Sequence, residues 1–582
     1  MGYKLLRKDW KAFCQALEEK RRAEEHSDGN VVRGLPADIW PQDKVMYCGQ
    51  WISSEKGVCY IGGKDIVVVC PHPIIPVARY VDIDTQEEKL QVAFRNGRRW
   101  KKAVIAKNVL FSGEIVKVLS SLGAAVTTQT SRLISQYLAD TESYNHDQMP
   151  EYYTTHRLGY HEGYGFVPYI DNLVYDGDSA YADAYNAITQ VGSADAWLEH
   201  VAGVWNYSVE ARIAIVASFA SVVLHRVGVQ PFFVHLWSSQ GGTGKTVTLH
   251  VAASVWGNPD RYVKSMNNTR ASMEYMAGFY RHLPLMLDEL QVTKDEHGKS
   301  HFSVYDLAEG IGRGRASKTG GLRQTERWHN LMLTNGESAL VSSTQGSGAF
   351  LRAVQIGFLR SIIEDGPRTS ALVRENYGWA GKLFVERVLN NPEVMQDLKK
   401  ANKSLVERLH APDADKEING KHANAVAILT ATAAAVRQYV FAGYEVKELR
   451  MEDILPYVPD EQDISIGKRA YDYILDWIAT NQNSFVDERP ARPDSYSTMR
   501  DMDEVHGKLY GKIRADGVTL VIRSVLEEAL EEKKFAPEAV FQWMRKKDKL
   551  KVRDGVSAVY SINGNRVRCV AILTGSQASR GE

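Results

Sequence analysis

Apolar runs of five or six residues recur through the middle of the chain, and each is bounded by small, polar or charged residues. They cover residues 232–237, 283–287, 331–335 and 353–358. Runs of this length between turn-forming residues are typical of buried strands. Stretches of helical character lie between them, beginning with 247–255. The pattern therefore predicts an α/β core in a multidomain α/β protein.

The regions that flank this core have different patterns. Between residues 45 and 110, short β-rich runs alternate with Gly-Gly, Asn-Gly and Pro, which predicts an antiparallel β module. A charged amphipathic helix is expected over 4–26, and a further helical stretch over 113–141. The predicted organisation is an N-terminal helix (1–40), a β-rich N-terminal domain with a helical segment (41–194), the α/β core (195–365), a helical region (366–460) and a C-terminal domain (461–582).

Composition sets limits on the class of protein. The chain has 582 residues, too many for one core, and Lys plus Arg equals Asp plus Glu at 71 each. No global charge draws it to nucleic acid, so any such attraction must come from local patches. Five cysteines in this length do not make a disulfide framework and indicate a reducing cytosol. The most apolar segment, 213–224, is shorter than the roughly 20 residues that cross a bilayer, so a buried helix is expected there.

A glycine-rich loop separates the first predicted strand from the helix that follows it. Residues 238–246 read Ser-Ser-Gln-Gly-Gly-Thr-Gly-Lys-Thr. A strand, a glycine-rich loop, Lys-Thr and a helix form the P-loop arrangement, which binds nucleotide phosphates and places Mg²⁺ on the threonine hydroxyl. The first glycine of the usual pattern is replaced by Ser239. The predicted ATP-binding residues are Gly241, Gly242, Thr243, Gly244, Lys245 and Thr246.

Two carboxylates and an amide follow the next two predicted strands. Asp288 and Glu289 come directly after the second apolar run, so a buried strand delivers both at its carboxyl end. Asp288 is suited to hold Mg²⁺, and Glu289 to polarise the water that attacks the γ-phosphate. Asn335, with Thr334 as second choice, ends the third run and is suited to orient that water. The alternative is an ordinary acidic or polar strand end at each place.

Arg352 lies just before the last predicted strand. In ring-forming ATPases an arginine near this place reaches the neighbouring subunit's nucleotide and offsets charge on the γ-phosphate. Arg360 is a weaker candidate for the same role. The alternative for Arg352 is a salt-bridged surface arginine. If Arg352 acts on a neighbour, the isolated subunit hydrolyses ATP poorly and assembly activates it.

A basic insertion, residues 310–328, lies between the second and third strands of the core. It contains five cationic residues and one acidic residue, Glu326. Gly-Gly at 320–321 lies near its middle, where the tip of a hairpin is expected. Positive side chains on such a hairpin track the phosphates of DNA without reading sequence. The alternative is a solvated loop whose arginines contact a neighbour's nucleotide. The predicted DNA contacts are Arg315, Lys318 and Arg323.

The C-terminal region resembles a winged-helix domain. Two helices, over 519–532 and 536–546, precede short strands with turn signals between them. A basic cluster over 545–553 follows the second helix, and Lys546 and Lys547 are its predicted DNA contacts. A solvated basic face is the alternative.

Cys48, Cys59, Cys70 and His72 raise the question of zinc. Their spacing contains no C-x-x-C, and each cysteine lies within an apolar strand pattern. Buried cysteines in a β core are therefore favoured over a zinc site.

Taken in order, these motifs resemble the AAA+ helicase-like proteins of bacterial phages, plasmids and genomic islands, a family long catalogued as a domain of unknown function. It includes the self-loading, MCM-like replicative helicases of staphylococcal cassette chromosomes and pathogenicity islands. The resemblance spans most of the chain, from about residue 45 to the end. The residues that carry it are 242–246, 287–289, 312–316, 320–323, 334–337, Arg352, 70–73, 158–161 and 376–381.

The resemblance implies an ATP- and Mg²⁺-dependent hexameric DNA helicase, with a helical lid at 366–460, in the cytoplasm of a bacterial or phage-infected cell. DNA, single-stranded in the pore, and further copies of the chain are the implied partners. Duplex DNA at the C-terminal domain is a further expectation. A different class of function stays open: an AAA+ switch or replication initiator that binds DNA without unwinding it.

Overall fold

The computed structural model describes residues 30–62, 65–289, 303–314, 325–341, 347–411, 418–459, 465–488, 508–533, 535–552 and 555–574. The chain divides into two compact units, one ending at Asn186 and the other beginning at Ala187. The helix predicted over 4–26 lies outside the described residues, as do Arg315, Lys318 and Arg323.

The first unit is built mainly of strands. Its largest sheet has the order β12-β9-β6-β7-β8, and a three-stranded sheet has the order β3-β4-β5. The strands are β1 (Asn30–Val31), β2 (Tyr47–Gly49), β3 (Ile52–Ser54), β4 (Gly57–Gly62), β5 (Asp65–Cys70), β6 (Ile74–Asp82), β7 (Glu88–Asn96), β8 (Arg99–Ala106), β9 (Glu151–Thr155), β10 (Gly159–His161), β11 (Gly165–Val167) and β12 (Leu173–Tyr175).

Strand β6 is the main element that the sequence pattern does not predict, because Pro76 stands within it. Proline has no N–H to donate and is found in sheets at edges or bulges. The pairing of β6 with β7 shifts register between Pro76 and Ala78, so a bulge accommodates the proline. Within residues 45–110 the pairings among β3 to β8 are antiparallel, as predicted. Strands β9 and β12, which lie beyond residue 110, extend the sheet in parallel pairings.

Helices of the first unit pack on these sheets around one apolar core. The predicted helical stretch 113–141 is two helices, separated by a non-helical segment after Ser121 and a short 3₁₀ turn at Thr128–Thr130. Cys48 and Cys70 are buried, as predicted, and burial raises the pKa of these thiols to about 12 and about 11. The helices are α1 (Lys107–Leu110), α2 (Ile115–Ser121), α3 (Ser131–Asn145) and α4 (Ser179–Asn186).

The second unit contains a five-stranded sheet with the order β14-β15-β16-β13-β17. Every pairing in it is parallel. The predicted apolar runs form four of its strands, and the short edge strand β14 is additional. The strands are β13 (Phe233–Trp237), β14 (Lys264–Ser265), β15 (Leu285–Asp288), β16 (Met332–Gly336) and β17 (Ala353–Gly357).

Helices cover the sheet, and their order alternates with that of the strands. The predicted buried helix before β13 is confirmed: α6 is buried from Glu210 to Leu224. None of the helices in the described stretches is both long and apolar enough to cross a membrane. The helices are α5 (Ala194–Tyr207), α6 (Val209–Val227), α7 (Lys245–Ser254), α8 (Pro259–Tyr262), α9 (Arg270–Tyr280), α10 (Val304–Ala308) and α11 (Ser347–Phe350).

A helical region follows the sheet, as predicted. Helix α15, at its centre, is buried over most of its length and packs against α6 and β17. A π-helical turn, Val385–Leu389, follows the second helix of the region. The helices are α12 (Gly366–Glu375), α13 (Trp379–Phe384), α14 (Pro392–Leu409), α15 (Gly420–Tyr439) and α16 (Met451–Ile454).

The C-terminal region combines three helices with a sheet of order β18-β19-β20-β22-β21. The sequence predicts a helix from residue 519, but residues 518–522 form strand β20. Their composition, Val-Thr-Leu-Val-Ile, is rich in β-branched residues and favours a strand. The elements are α17 (Ile466–Thr480), β18 (Phe485–Asp487), β19 (Gly511–Ile513), β20 (Val518–Ile522), α18 (Arg523–Glu532), α19 (Pro537–Lys546), β21 (Ala558–Ile562) and β22 (Asn565–Leu573).

Candidate functional site

The glycine loop, residues 238–244, joins strand β13 to helix α7 at the carboxyl edge of the parallel sheet. Gly242 and Gly244 have φ values of 71° and 90°, in the left-handed region that favours glycine. A Cβ on Gly244 would also lie 3.0 Å from Cγ1 of Ile363. The loop therefore needs glycine at both positions to take this shape.

Ser239, which replaces the usual first glycine, does not disturb the loop. It is exposed, and it is not among the described residues with a left-handed backbone. Gly241 also lacks a positive φ, and a Cβ there would meet no atom within 4 Å. The left-handed backbone that requires glycine therefore occurs only in the second half of the loop, at Gly242 and Gly244.

Lys245 is the first residue of α7, and its ammonium group lies against the loop. Its Nζ donates hydrogen bonds to the carbonyl oxygens of Ser238 and Gln240, each at 2.9 Å. Burial lowers the pKa of Lys245, and the carboxylate of Glu337 acts in the opposite direction. The cation is therefore held where an anion bound in the loop would meet it.

Thr246, Asp288 and Asn335 meet beside the loop. Oγ1 of Thr246 lies 3.5 Å from Oδ1 of Asp288 and 3.5 Å from Nδ2 of Asn335. Parallel strands bring them together, since the carboxyl ends of β13, β15 and β16 share one edge of the sheet. Oxygen donors of hydroxyl and carboxylate type are the ligands that Mg²⁺ prefers, so this pair fits the predicted metal.

Glu289 is fixed to this group through its backbone. Its N–H donates to Oδ1 of Asn335 at 3.0 Å, while its side chain is exposed. Its φ of 66° is unusual for a residue with a side chain and costs on the order of 1 kcal/mol. The structure therefore brings Glu289, Asp288, Asn335, Lys245 and the glycine loop to one edge of the sheet.

Thr334 lies on the other face of β16, because successive side chains alternate along a strand. Its Oγ1 is 2.8 Å from Nδ1 of His235, and Nε2 of His235 is 2.9 Å from the carbonyl oxygen of Ser338. Burial lowers the pKa of His235 to about 4, so the ring is neutral at pH 7. Its Nε2–H then donates to Ser338, and Nδ1 accepts from Thr334. Thr334 is therefore a core residue, and its buried partner His235 is not apparent from the sequence.

Arg352 lies at the opposite edge of the sheet from Lys245. It precedes β17, whose first residue pairs with Phe233, the first residue of β13. The five residues of β13 between that end and the glycine loop span roughly 16 Å. Arg352 is therefore not part of the site formed by the glycine loop of its own chain.

Arg360 is in a different position from Arg352. It follows the carboxyl end of β17, and its Nη2 contacts both carboxylate oxygens of the buried Glu210 at 3.0 and 2.9 Å. Tyr457 donates to the same carboxylate at 3.1 Å. These contacts give Arg360 a role in joining the helical region to the core, so it is a poor candidate for contact with a neighbour.

The basic insertion is described only at its base. Ile311 and Arg327 form an antiparallel bridge, and Gly312 N–H donates to the carbonyl oxygen of Glu326 at 2.9 Å. Trp328 is fully buried, and its indole N–H donates to the carbonyl oxygen of Leu307 at 2.7 Å. The two described arms of the insertion, residues 310–314 and 325–328, are therefore antiparallel where they meet. The buried Trp328 anchors them to the core.

Lys546 and Lys547 are exposed at the carboxyl end of α19. The hairpin of β21 and β22 exposes two further cations, Arg566 and Arg568, which the sequence analysis missed. Their alternation with Val567 was the available signal, since alternate residues of a strand share a face.

Two parts of the chain match known families. Residues 52–327 match the family described as a domain of unknown function, DUF927. Residues 465–577 match the Cch helix turn helix domain, so the C-terminal region is a helix-turn-helix domain. No curated protein matches the sequence.

A solved structure described as SCCmec type IV Cch, active helicase, is similar to the chain. The TM-score is 0.63 at 20% identity, and the match covers 90% of this chain and 98% of that one. At this identity the likeness shows a common fold. Together with the two family matches, it supports the resemblance found in the sequence.

Proposed function

We propose that the chain is an ATP-dependent DNA helicase that unwinds DNA for the replication of a mobile genetic element and works as a hexameric ring in the bacterial cytoplasm. The observation that carries the proposal is the meeting of Lys245, Thr246, Asp288 and Asn335 at one edge of a parallel sheet. The order of that sheet agrees with an AAA+ ATPase core. The fold that the chain shares with a helicase supports the same conclusion.

In this proposal the glycine loop and Lys245 hold the phosphates of ATP. Lys245 exchanges the carbonyl oxygens of Ser238 and Gln240 for phosphate oxygens, which are better partners for an ammonium ion. Thr246 and Asp288 would hold Mg²⁺, which neutralises charge on the β- and γ-phosphates when it is bound.

Glu289 accepts a proton from the attacking water, and Asn335 holds Glu289 and orients that water. The carboxylate of Glu289 is exposed, as a group that must reach a substrate water has to be. Arg352, at the far edge of the sheet, serves the nucleotide of a second copy of the chain. This arrangement explains why an arginine about 16 Å from the loop of its own chain belongs to the same reaction.

DNA is held at two places in this proposal. The insertion with Arg315, Lys318 and Arg323 tracks a single strand, and its antiparallel base is anchored by Trp328. The helix-turn-helix domain binds duplex DNA through Lys546 and Lys547, with Arg566 and Arg568 on the adjacent hairpin. Exposed cations at the end of a helix and on the adjacent hairpin are well placed to contact DNA phosphates.

ATP hydrolysis by the wild type and by Glu289→Gln, each with and without DNA, tests the proposal. We expect hydrolysis that DNA stimulates in the wild type, and a loss on the order of 100-fold or more in the variant with ATP binding retained. An inert wild type contradicts a motor. DNA binding and hydrolysis without strand separation would favour the AAA+ switch or initiator instead.

A further inference from the structure

A cavity of about 300 Å³ lies at the edge of the sheet opposite to the glycine loop. It has two cations, Arg352 and Lys421, and one acid, Glu309, in its wall. The remaining wall is formed by the segment 228–232, which leads into β13, and by Ala308, Leu351 and Asn424. Gln230 and Asn424 are polar, and the other side chains are small or apolar. Its volume is at the lower end of the range of ligand sites and is sufficient for phosphate groups.

Arg352 is not free in this cavity. Its Nη2 lies 2.5 Å from Oε1 of Glu309, its Nη1 donates to the carbonyl oxygen of Gly348 at 2.8 Å, and its guanidinium stacks 4.2 Å above the ring of Tyr305. The side chain is only 11% exposed. In this structure Arg352 is therefore paired with a carboxylate of its own chain. It must leave that ion pair before it can contact a neighbour's nucleotide.

Lys421 belongs to the same electrostatic group. It lies in the first turn of α15, which Asn419 caps by accepting from the N–H of Lys421 at 3.1 Å. Burial lowers the pKa of Lys421, the Arg352 charge lowers it further, and Glu309 acts in the opposite direction. Two cations, one of them in the first turn of a 20-residue helix whose positive end favours anions, thus share the wall of this cavity with one carboxylate.

We propose that this cavity is an anion site in which Arg352 and Lys421 together take the terminal phosphates of a nucleoside triphosphate bound by a second copy of the chain. Glu309 occupies the anion position until that copy docks. The inference rests on the proposed function, and it adds Lys421 as a second residue acting on the neighbour and Glu309 as the group that is displaced.

Glu309 lies next to the base of the basic insertion, so the exchange of Glu309 for phosphate at Arg352 also affects the insertion. Glu309 directly precedes Gly310, whose carbonyl oxygen accepts from the N–H of Trp328 at 3.0 Å at the base of the basic insertion. When Arg352 exchanges Glu309 for phosphate, the residue next to the first arm of the insertion loses its ion pair. Nucleotide state at the interface is thereby coupled to the arm that carries the predicted DNA contacts.

Mixing of variants tests whether Lys421 acts on a neighbour. Lys421→Ala is expected to lower the ATP hydrolysis of the assembled protein on the order of tenfold or more. Lys421→Arg should restore most of it, and Lys403→Ala, on the exposed face of α14, should leave it unchanged. A mixture of Lys421→Ala with Lys245→Ala should hydrolyse ATP several-fold faster than either alone, because one supplies the loop and the other the cation.

The mixture of Arg352→Ala with Lys245→Ala separates this inference from the proposed function. If that mixture regains activity and the Lys421→Ala mixture does not, the role of Lys421 is wrong while the ring ATPase stands. If neither mixture regains activity, the shared site between subunits is wrong, and this inference is wrong with it.

Glu309→Gln tests the displaced carboxylate. The amide keeps the shape but loses the ion pair, so we expect DNA-free hydrolysis to rise about threefold to tenfold and the stimulation by DNA to shrink. Glu407→Gln, an exposed acid on α14, is the matched control. A loss of activity like that of Arg352→Ala would show that Glu309 supports the arginine, and it would overturn the exchange.

Discussion

Asn335 holds the backbone of Glu289: its Oδ1 accepts the Glu289 N–H at 3.0 Å, while its Nδ2 lies 3.5 Å from the hydroxyl of Thr246. One amide thus joins the end of β15 to the first turn of α7. Glu289 has a left-handed backbone, and this hydrogen bond helps to hold it.

Replacing Asn335 should therefore impair hydrolysis more than binding. We expect Asn335→Ala to lower kcat on the order of 100-fold, because both the water-orienting amide and the position of Glu289 are lost. Nucleotide affinity, measured with a fluorescent ATP analogue, should change little, since Lys245 and the glycine loop are untouched. A large loss of affinity with an unchanged kcat would contradict this role.

Thr334→Val is the matched change on the other face of β16. It removes the hydroxyl that donates to Nδ1 of His235 and leaves a buried acceptor without its partner. We expect a loss of about 1–3 kcal/mol in stability, read as a lower Tm, with hydrolysis per folded molecule retained. If hydrolysis falls as far as in Asn335→Ala, Thr334 takes part in the chemistry.

The buried His235 predicts a pH dependence of stability. Its pKa in the folded chain is about 4, against an ordinary value of 6.5, so the unfolded chain binds more protons between these values. Stability should therefore fall as the pH drops from 6.5 towards 4, by at most about 3 kcal/mol from this residue. Thermal unfolding of wild type and His235→Gln across this window provides the measurement. Equal pH slopes for the two proteins would contradict the assignment.

The glycine loop predicts a contrast between two alanine substitutions. Gly244→Ala places a Cβ 3.0 Å from Ile363 in a left-handed backbone, whereas Gly241→Ala meets no atom within 4 Å and has no positive φ. We expect Gly244→Ala to weaken ATP binding tenfold or more, with a stability cost of about 1–3 kcal/mol. Gly241→Ala should bind ATP nearly as the wild type does. Equal effects would mean that the loop takes another shape when nucleotide is bound.

The helix-turn-helix domain predicts a salt-dependent contact with duplex DNA. We expect Lys546→Glu combined with Lys547→Glu to weaken duplex binding and to lower the slope of log affinity against log salt by about 2. Lys533→Glu, at the end of the preceding helix α18, is the control that reverses one charge outside the cluster, and it should leave the slope nearly unchanged. Fluorescence anisotropy over a salt series measures both quantities, and an unchanged slope would assign the cluster to a solvated face.

The sequence was sufficient to predict four of the five strands of the sheet that carries the site, because these four are apolar runs and three of them lead directly into functional residues. It did not predict β6, where a bulge accommodates Pro76, or β20, whose β-branched residues lie directly before a helix. Neither the His235–Thr334 pair nor the Glu309–Arg352 pair could be foreseen. Both join positions far apart in the chain, 99 and 43 residues, and only the fold brings them together.

Strand displacement on forked DNA, with a single-stranded tail of each polarity in turn and with ATP present or absent, measures unwinding itself. We expect the wild type to separate the strands of one fork only when ATP is present, and we expect Lys245→Ala and Glu289→Gln not to separate them. Hydrolysis of ATP by a wild-type protein that binds the forks but separates neither would contradict the helicase assignment.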